Sequence, residues 1–476
     1  MVRGRIMVNQ NKEYYLGLYE KSMPNTLSWE EKLKVVKEAG FDYLEMSIDE
    51  TEEKLARLDQ PVDEIKKAIE KTGVPIKSIC LSGHRKYPLG SHDPKIRERG
   101  MEIMEKAICL AARLGVRVIQ LAGYDVYYGG KSHLTTRAGN NTGDTAPYGF
   151  PERFSRDEHA ALGKKAAQLL TSLHAKGDKP FLMVASFINP HDICDYHVLI
   201  KPEGDRERVQ KLPRMDATLR YIREITSRYT GPELYGEILP PLPLNHELTA
   251  DAPEGAVPGP KPKYTPEHWQ MHQWIYGKLT EDVDGDIAPI IEVLRKKEML
   301  ENTIVVFVSD HGDLQGAHRR EMKMAPYQEA QLVPFVFTGC GIQQGKLDRT
   351  NVVNSGIDLL PTLCDLAGIK IPAGMPGHSL EPVLTGKSLD LNRKHIFCEG
   401  PNWFQVIQDG RYKYTIFEAK DHPDMLIDLE TDPGEMQNLS NNPDYRALRD
   451  ELRGMLMKQL EKRGIVLRDN VRRPTI

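Results

Sequence analysis

The densest run of chemically competent residues is Val308-Ser309-Asp310-His311-Gly312, directly after the apolar residues 304–307. An apolar run of that length reads as a strand, and ligands of open α/β sheets bind beyond the carboxyl ends of strands. A carboxylate and an imidazole side by side at such an end suit a divalent metal. The same three letters also fit a strand-end turn with Asp310 as a helix cap. Downstream the chain continues through Gly312-Asp-Leu-Gln-Gly-Ala-His318 to Lys323, Tyr327 and Pro334. Nucleophiles are scarcer. Cysteines stand at 80, 109, 194, 340, 364 and 398 with no Cys-x-x-Cys pair, so neither a zinc ribbon nor a disulfide framework is indicated. Cys109-Leu-Ala111-Ala-Arg113 sits inside a helical pattern carried by Ile103, Ala107, Leu110 and Leu114. A small buried thiol is the expectation there.

The elements that must position these groups follow two textures. Residues 14–19, 41–48, 75–82 and 116–121 read as strands, separated by helices over 28–40, 62–72 and 94–114. Ser28 with Glu31 predicts a capping box, Pro94 opens its helix, and Gly73 and Gly115 act as stops. Short β-α steps of this kind argue for parallel strands with right-handed crossovers, here half of a (β/α)₈ barrel. Past residue 128 the pattern changes. Residues 129–153 read as loop, 157–174 as a helix and 181–188 as a strand. A proline-rich stretch over 230–264 lacks periodicity, as site-lining loops often do. A helix over 269–297 precedes a buried strand at 303–309. Asp409-Gly410 predicts a hairpin between 404–407 and 412–417. Tyr445, Leu448, Leu452 and Met455 mark a last amphipathic helix.

Composition excludes several classes. Lys plus Arg number 64 against 68 Asp plus Glu, a formal charge of −4, which argues against a nucleic-acid partner. Hydrophobic residues at 40% and charged residues at 28% fit a globular chain of 476 residues. Apolar stretches are strand-length, too short for a membrane span, and the first twelve residues have no apolar signal core. A cytoplasmic location is expected.

The run from Asp310 to Pro334 resembles the second metal motif of the formylglycine-dependent sulfatases, in the alkaline-phosphatase-like superfamily. Further motifs follow in that family's order. They are Gly130-Lys131-Ser132-His133-Leu134, Ser186-Phe-Ile-Asn-Pro190-His191, Asn354-Ser-Gly-Ile-Asp358 through Leu363, Pro376-Gly377-His378-Ser379-Leu380, and Leu426-Ile-Asp428 through Leu439. The resemblance implies Asp310 and His311 as ligands of Ca²⁺ or Mg²⁺. It gives Lys131 and Lys323 to the sulfate oxygens, His191 to the departing alcohol, and His133 to the nucleophile and its regeneration. Gln328 stands where that family usually has Glu. No strand bearing an acidic pair precedes these motifs, and Cys109-Leu-Ala111-Ala-Arg113, which formally fits that family's Cys-x-Pro/Ala-x-Arg motif, lies inside the helix, so no convincing cysteine for formylglycine is found.

The front of the chain is similar instead to the L-ribulose/L-xylulose 5-phosphate 3-epimerases, xylose-isomerase-like TIM barrels. Gly17-Leu-Tyr19-Glu20-Lys21, Gly40 through Glu50, Cys80 through Gly90 and Ile119 through Tyr128 carry that likeness. The four metal ligands of those enzymes lie on later strands, which this chain lacks. Glu20, Glu45 and His84 are then expected to be strand-end polar residues. The two likenesses meet at Ala122-Gly-Tyr-Asp-Val-Tyr-Tyr128, where a join would be least visible.

The expected architecture is α/β: a truncated half-barrel (1–128), an alkaline-phosphatase-like sulfatase domain (129–390), and a small C-terminal subdomain of antiparallel sheet plus helix (391–476). The expected function is metal-dependent sulfate-ester hydrolysis by family, impaired because the acidic pair and nucleophile are missing. Pentulose 5-phosphate epimerisation and non-catalytic anion binding are the alternatives. The expected partner is a small sulfate ester or similar anion, held where Asp310, His311, His191, Lys323, Lys131 and His133 converge.

Overall fold

The computed structural model describes residues 16–87, 94–116, 118–121, 125–132, 145, 150, 153–176, 180–200, 215–259, 261–369, 371 and 374–468. The chain forms two compact units, Met1–Phe187 with Leu366–Lys370, and Ile188–Asp365 with Ile371–Ile476.

The first unit begins with strands β1 (Gly17–Tyr19), β2 (Tyr43–Ile48), β3 (Ile76–Leu81) and β4 (Val118–Leu121). They pair in that order, all parallel. Helices α1 (Trp29–Glu38), α2 (Glu52–Ala56), α3 (Asp63–Thr72) and α4 (Pro94–Leu114) connect them. The capping box forms as read: Ser28 N–H donates to Glu31 Oε2 at 2.8 Å and Glu31 N–H to Ser28 Oγ at 3.3 Å. Gly73 and Gly115, at φ 73° and 69°, stop α3 and α4 in a conformation that costs glycine little. Leu33, Val36, Leu44, Met46, Ile48, Ile79, Leu81 and Ala107 share a fully buried core. This is the TIM-barrel-like part. The short helix α2, opened by Thr51, went unread in the sequence because a five-residue helix carries little periodic signal.

The same unit holds a second parallel sheet, β5 (Asp125–Gly130), β6 (Arg153–Ser155) and β7 (Phe181–Ser186), in the order β6-β5-β7, followed across by α5 (Ala160–Lys176). Of the heptapeptide ending at Tyr128, residues 125–128 are described. Its last four residues start a strand of another sheet, and residues 129–153, expected as loop, supply the end of β5 and the start of β6. Gly130 lies at φ 91°, and a Cβ there would stand 2.0 Å from Ser186 O, so this strand end requires glycine.

In the second unit the helix Pro266–Lys296 is capped by Thr265. The proline-rich stretch contains a short turn, Gly231–Glu233, and a π-helical turn, Leu234–Ile238, and its other described residues are largely irregular. Strands β8 (Ile304–Val308) and β9 (Phe335–Gly339) form an antiparallel pair. The expected burial of β8 fails at its end, where Phe307 is 44% and Val308 37% exposed. An apolar strand is buried only if elements cover both faces, which its own sequence cannot supply. The C-terminal strands β10 (His395–Gly400), β11 (Trp403–Gln408), β12 (Tyr412–Phe417) and β13 (Asp424–Asp428) make an antiparallel meander. Asp409 and Gly410, at φ 50° and 70°, turn the expected hairpin. Leu452, Leu456 and Leu460 of the helix Arg446–Lys462 pack on Phe404, Val406, Tyr414 and Leu426. Among the described residues no helix is long and apolar enough to cross a membrane.

Candidate active site

Asp310 and His311 follow β8 immediately. His311 Nδ1 lies 2.8 Å from Gly312 O, so this nitrogen carries the proton and donates. That leaves Nε2 as an electron-pair donor 3.6 Å from Asp310 Oδ2. The loop then folds back. Gly312 N–H donates to Ala330 O at 2.9 Å, Leu314 N–H to Met322 O at 2.8 Å, and Gly316 N–H to Arg320 O at 2.9 Å. A Cβ on Gly312 would stand 1.9 Å from Glu329 O, so only glycine admits this approach. His318, Arg319 and Met322 all take positive φ, at 54°, 52° and 66°, strain of the kind that concentrates at functional loops.

The folded-back loop carries three more ionisable groups. Burial pushes the Asp313 carboxyl up to about 7, with Glu321 adding to the rise and Lys323 opposing it. Burial also raises Glu321, against a hydrogen bond from Tyr264 Oη to its Oε2 at 2.8 Å and the influence of His197. Tyr276 is pushed up to about 12 by burial, with Asp313, Cys194 and Asp310 contributing. Cys194 shares the 3₁₀ turn His191–Asp195, whose first N–H donates to Ile188 O at 3.1 Å. Asp313, Cys194 and Asp310 thus act electrostatically on Tyr276, and Lys323 acts on Asp313. His272, buried among Tyr196, Tyr264 and Trp269, is held down to about 3 and stays neutral.

Beneath the loop lies a buried polar cluster that sequence reasoning missed. His318 stacks on Tyr327 with ring centroids 3.6 Å apart, and burial, with Lys413 and Arg320 adding, lowers it to about 3. Around it stand Asn245, Thr249, Glu329 and Glu435. Glu435 pairs with the buried Lys413 and accepts the Gln328 N–H at 2.6 Å. The signal was present, since His318 and Glu435 both fall inside motifs read from the sequence, but nothing local joins residues more than a hundred positions apart.

The remaining residues fall in the first unit. Lys131 follows β5, its N–H donating to Ser186 O at 2.8 Å. His133 lies outside the described residues. Glu20 is fully buried and accepts from Lys32, Lys54 and Arg57 at 2.8–2.9 Å. Burial would raise it, but the hydrogen bonds from Lys32 and Lys54 with the charge of Arg57 prevail and hold it at about 2. Glu45 accepts from Ser78, and His84 is buried against Gly100 O. Cys109 lies on α4 as expected but is exposed, correcting the buried-thiol expectation, because it projects from the face opposite Ile103, Ala107 and Leu110.

A hard divalent cation takes six or more oxygens. The Asp310 carboxylate and the His311 Nε2 face one another but supply two donors only, a partial set. Cys194, on the His191–Asp195 turn, is half-buried and lacks the sequence context of a formylglycine site. Among the described residues neither the cation nor the formylglycine has a complete set of groups to hold it.

Comparisons with known proteins agree with this two-part organisation. The sulfatase family profile matches residues 116–369, and an N-sulphoglucosamine sulphohydrolase C-terminal profile matches 316–462. The first covers more than half of the chain, which therefore belongs to the sulfatase family. A xylose isomerase-like TIM-barrel profile matches residues 33–144. It overlaps the sulfatase match over 116–144, the region where strand pairing passes from the first sheet to the second. The L-ribulose-5-phosphate 3-epimerases UlaE of Shigella boydii and of Escherichia coli SE11 are each 50% identical over 130 residues, 27% of this chain. The chain spans only 46% of the length of these relatives. Among solved structures a 2-O GAG sulfatase aligns at 25% identity and a TM-score of 0.55, over 73% of this chain and 75% of that one. A chain from Bacteroides thetaiotaomicron VPI-5482, described as a candidate sulfatase, aligns with the same figures. The N-terminal part is thus epimerase-like, and the remainder has the alkaline-phosphatase-like sulfatase fold.

Proposed function

We propose that this sulfatase-family chain binds a small sulfate ester or comparable anion next to Asp310, His311, His191 and Lys323 without turning it over. The observation that supports this most directly is the pairing of Asp310 with His311 directly after β8, with Lys323 acting on the nearby Asp313 carboxyl. Lys323 offers an ammonium to the anion, and His191 an imidazole able to give a proton to a leaving alcohol. A Ca²⁺ or Mg²⁺ ion at Asp310 and His311 would supply charge neutralisation when bound. Without a nucleophile the displacement cannot be divided into two easier steps. The roles of Lys131 and His133, the three-part division at residues 128 and 390, and the cytoplasmic location belong to the same reading and rest on the sequence alone. Epimerisation is disfavoured, since the N-terminal part covers under half of the epimerases it resembles.

Calorimetric titration with an aryl sulfate in excess Ca²⁺ tests this, paired with an assay of sulfate release. Binding without release is expected, and Lys323→Ala should weaken binding by about 1.5–3 kcal/mol, the worth of one charged hydrogen bond. Release that disappears in Cys109→Ala would overturn the reading by making Cys109 the nucleophile. Release that survives it would equally overturn the claim of no turnover.

A further inference from the structure

Counting hydrogens in the buried cluster beneath the loop leaves two electron pairs facing each other with no proton for either. Asn245 Nδ2 has two hydrogens and lies 2.6 Å from Glu329 Oε1, 3.2 Å from Gly434 O and 3.4 Å from His318 Nε2. The two shorter contacts consume both. Thr249 has one hydrogen, directed to Glu435 O at 2.9 Å or Tyr327 Oη at 3.0 Å, so its Oγ1 accepts from His318 Nδ1–H at 3.1 Å. The imidazole is therefore the Nδ1–H tautomer, and its Nε2 lone pair receives nothing. Opposite it, at 4.0 Å, stands Glu329 Oε2, buried and without a hydrogen-bond partner.

We propose that His318 Nε2, Glu329 and Glu435 bind a divalent transition cation of the Zn²⁺, Co²⁺ or Mn²⁺ class, at a site separate from Asp310 and His311. The ligand atoms of all three residues lie within 4.8 Å of one another. One imidazole with two carboxylates is a borderline donor set, which suits these ions better than Ca²⁺. Bonds of about 2.0–2.2 Å put two tetrahedral ligands about 3.4 Å apart, so the pair must close by roughly half an ångström. Glu329, on the short helix Gln328–Gln331, is partly exposed and can make that adjustment, whereas His318 is fully buried and fixed. The surroundings match those of a metal-bound histidine. The Thr249 hydroxyl holds Nδ1–H, and Tyr327 clamps the ring plane, as outer partners of such ligands do. Lys413 sits on Glu435 Oε1, but a carboxylate has about four lone-pair directions and accommodates both.

The test uses the full-length chain, stripped with a chelator and titrated with Co²⁺ while its visible absorption is followed. One equivalent should bind, Zn²⁺ should displace it, and Glu329→Gln should weaken it more than about tenfold. Gln keeps the oxygen that accepts from Asn245, so the variant should melt within a few degrees of the parent. If it does not fold, Glu329→Asp, which keeps the charge and shortens the arm, must show weakened Co²⁺ binding. Asp310→Asn must leave the absorption unchanged. No Co²⁺ binding by the parent, equal binding by parent and Glu329→Gln, or loss confined to Asp310→Asn would each overturn the proposal. The last of these would point to Asp310 and His311 as the cation site and leave the anion-binding reading standing.

Discussion

Two carboxylates, one in each unit, each with a buried oxygen, are treated in opposite ways. Glu20, at the end of β1, is surrounded by more positive charge than it needs: two lysines, an arginine and the Ser47 N–H converge on its two oxygens. Glu329 in the second unit is under-supplied, with one oxygen held by Asn245 and the other buried without a partner. Saturated networks rigidify a core, whereas an unsatisfied buried group calls for an explanation such as an ion. The comparison separates a charge cluster that supports the fold from one that awaits a ligand. Glu45 and His84 in the epimerase-like part are likewise held by hydrogen bonds, with Ser78 and Gly100 O.

The sharpest way to break this contrast is Glu20→Gln, which leaves three cations facing a neutral amide. A loss of about 3–5 kcal/mol is expected, the usual result of removing one partner from a buried ion cluster. Denaturant unfolding followed by hydrogen exchange in residues 16–121 measures it, and an unchanged midpoint would remove Glu20 from its structural role. In the second unit Gly312→Ala forces a Cβ toward the Glu329 carbonyl. It should cost about 1–3 kcal/mol by overpacking and weaken anion binding at the same time. Normal binding at parental stability would mean that the fold-back of the loop is dispensable.

Proton linkage gives the two units opposite slopes. Glu20 falls from its ordinary 4.5 to about 2, so its contribution is fully present above pH 4.5 and is lost as pH drops through 2. Glu321 is raised by burial, so its contribution is present below pH 4.5 and lost as pH climbs through the elevated folded value. Glu321→Gln, which still accepts from Tyr264, should flatten the decline above pH 4.5 without altering behaviour near pH 2. Thermal melts across pH 3–8 on both proteins decide this, and parallel curves would show that Glu321 does not titrate in that window. The smallest effect belongs to Ser28→Ala, where loss of the α1 capping box should cost about 1 kcal/mol. A shift in Tm confined to the first unit is the expected readout.

Local patterns were readable wherever the deciding interactions are close in sequence. The Ser28–Glu31 box, the stops at Gly73 and Gly115, and the Asp409-Gly410 hairpin all formed where read, because each depends on a few neighbouring residues. Asp310 and His311 directly follow β8, and His191 opens a short turn, His191–Asp195. Expectations about burial fared worse. Cys109 turned outward, and the end of β8 is exposed, since helix phase and strand cover depend on elements elsewhere in the chain.

What the sequence by itself determined is the succession of elements, the half-barrel texture of the first strands and the sulfatase motifs, because periodicity, caps and turn residues act over a few positions. Only the tertiary structure decided that β5 leaves the first sheet to pair with β7. It alone brought Asn245, Thr249, His318, Glu329 and Glu435 into one cluster. Strand partners and ligand clusters are set by contacts between distant segments, and a residue's own neighbours in sequence carry no record of which distant group will supply, or withhold, its proton.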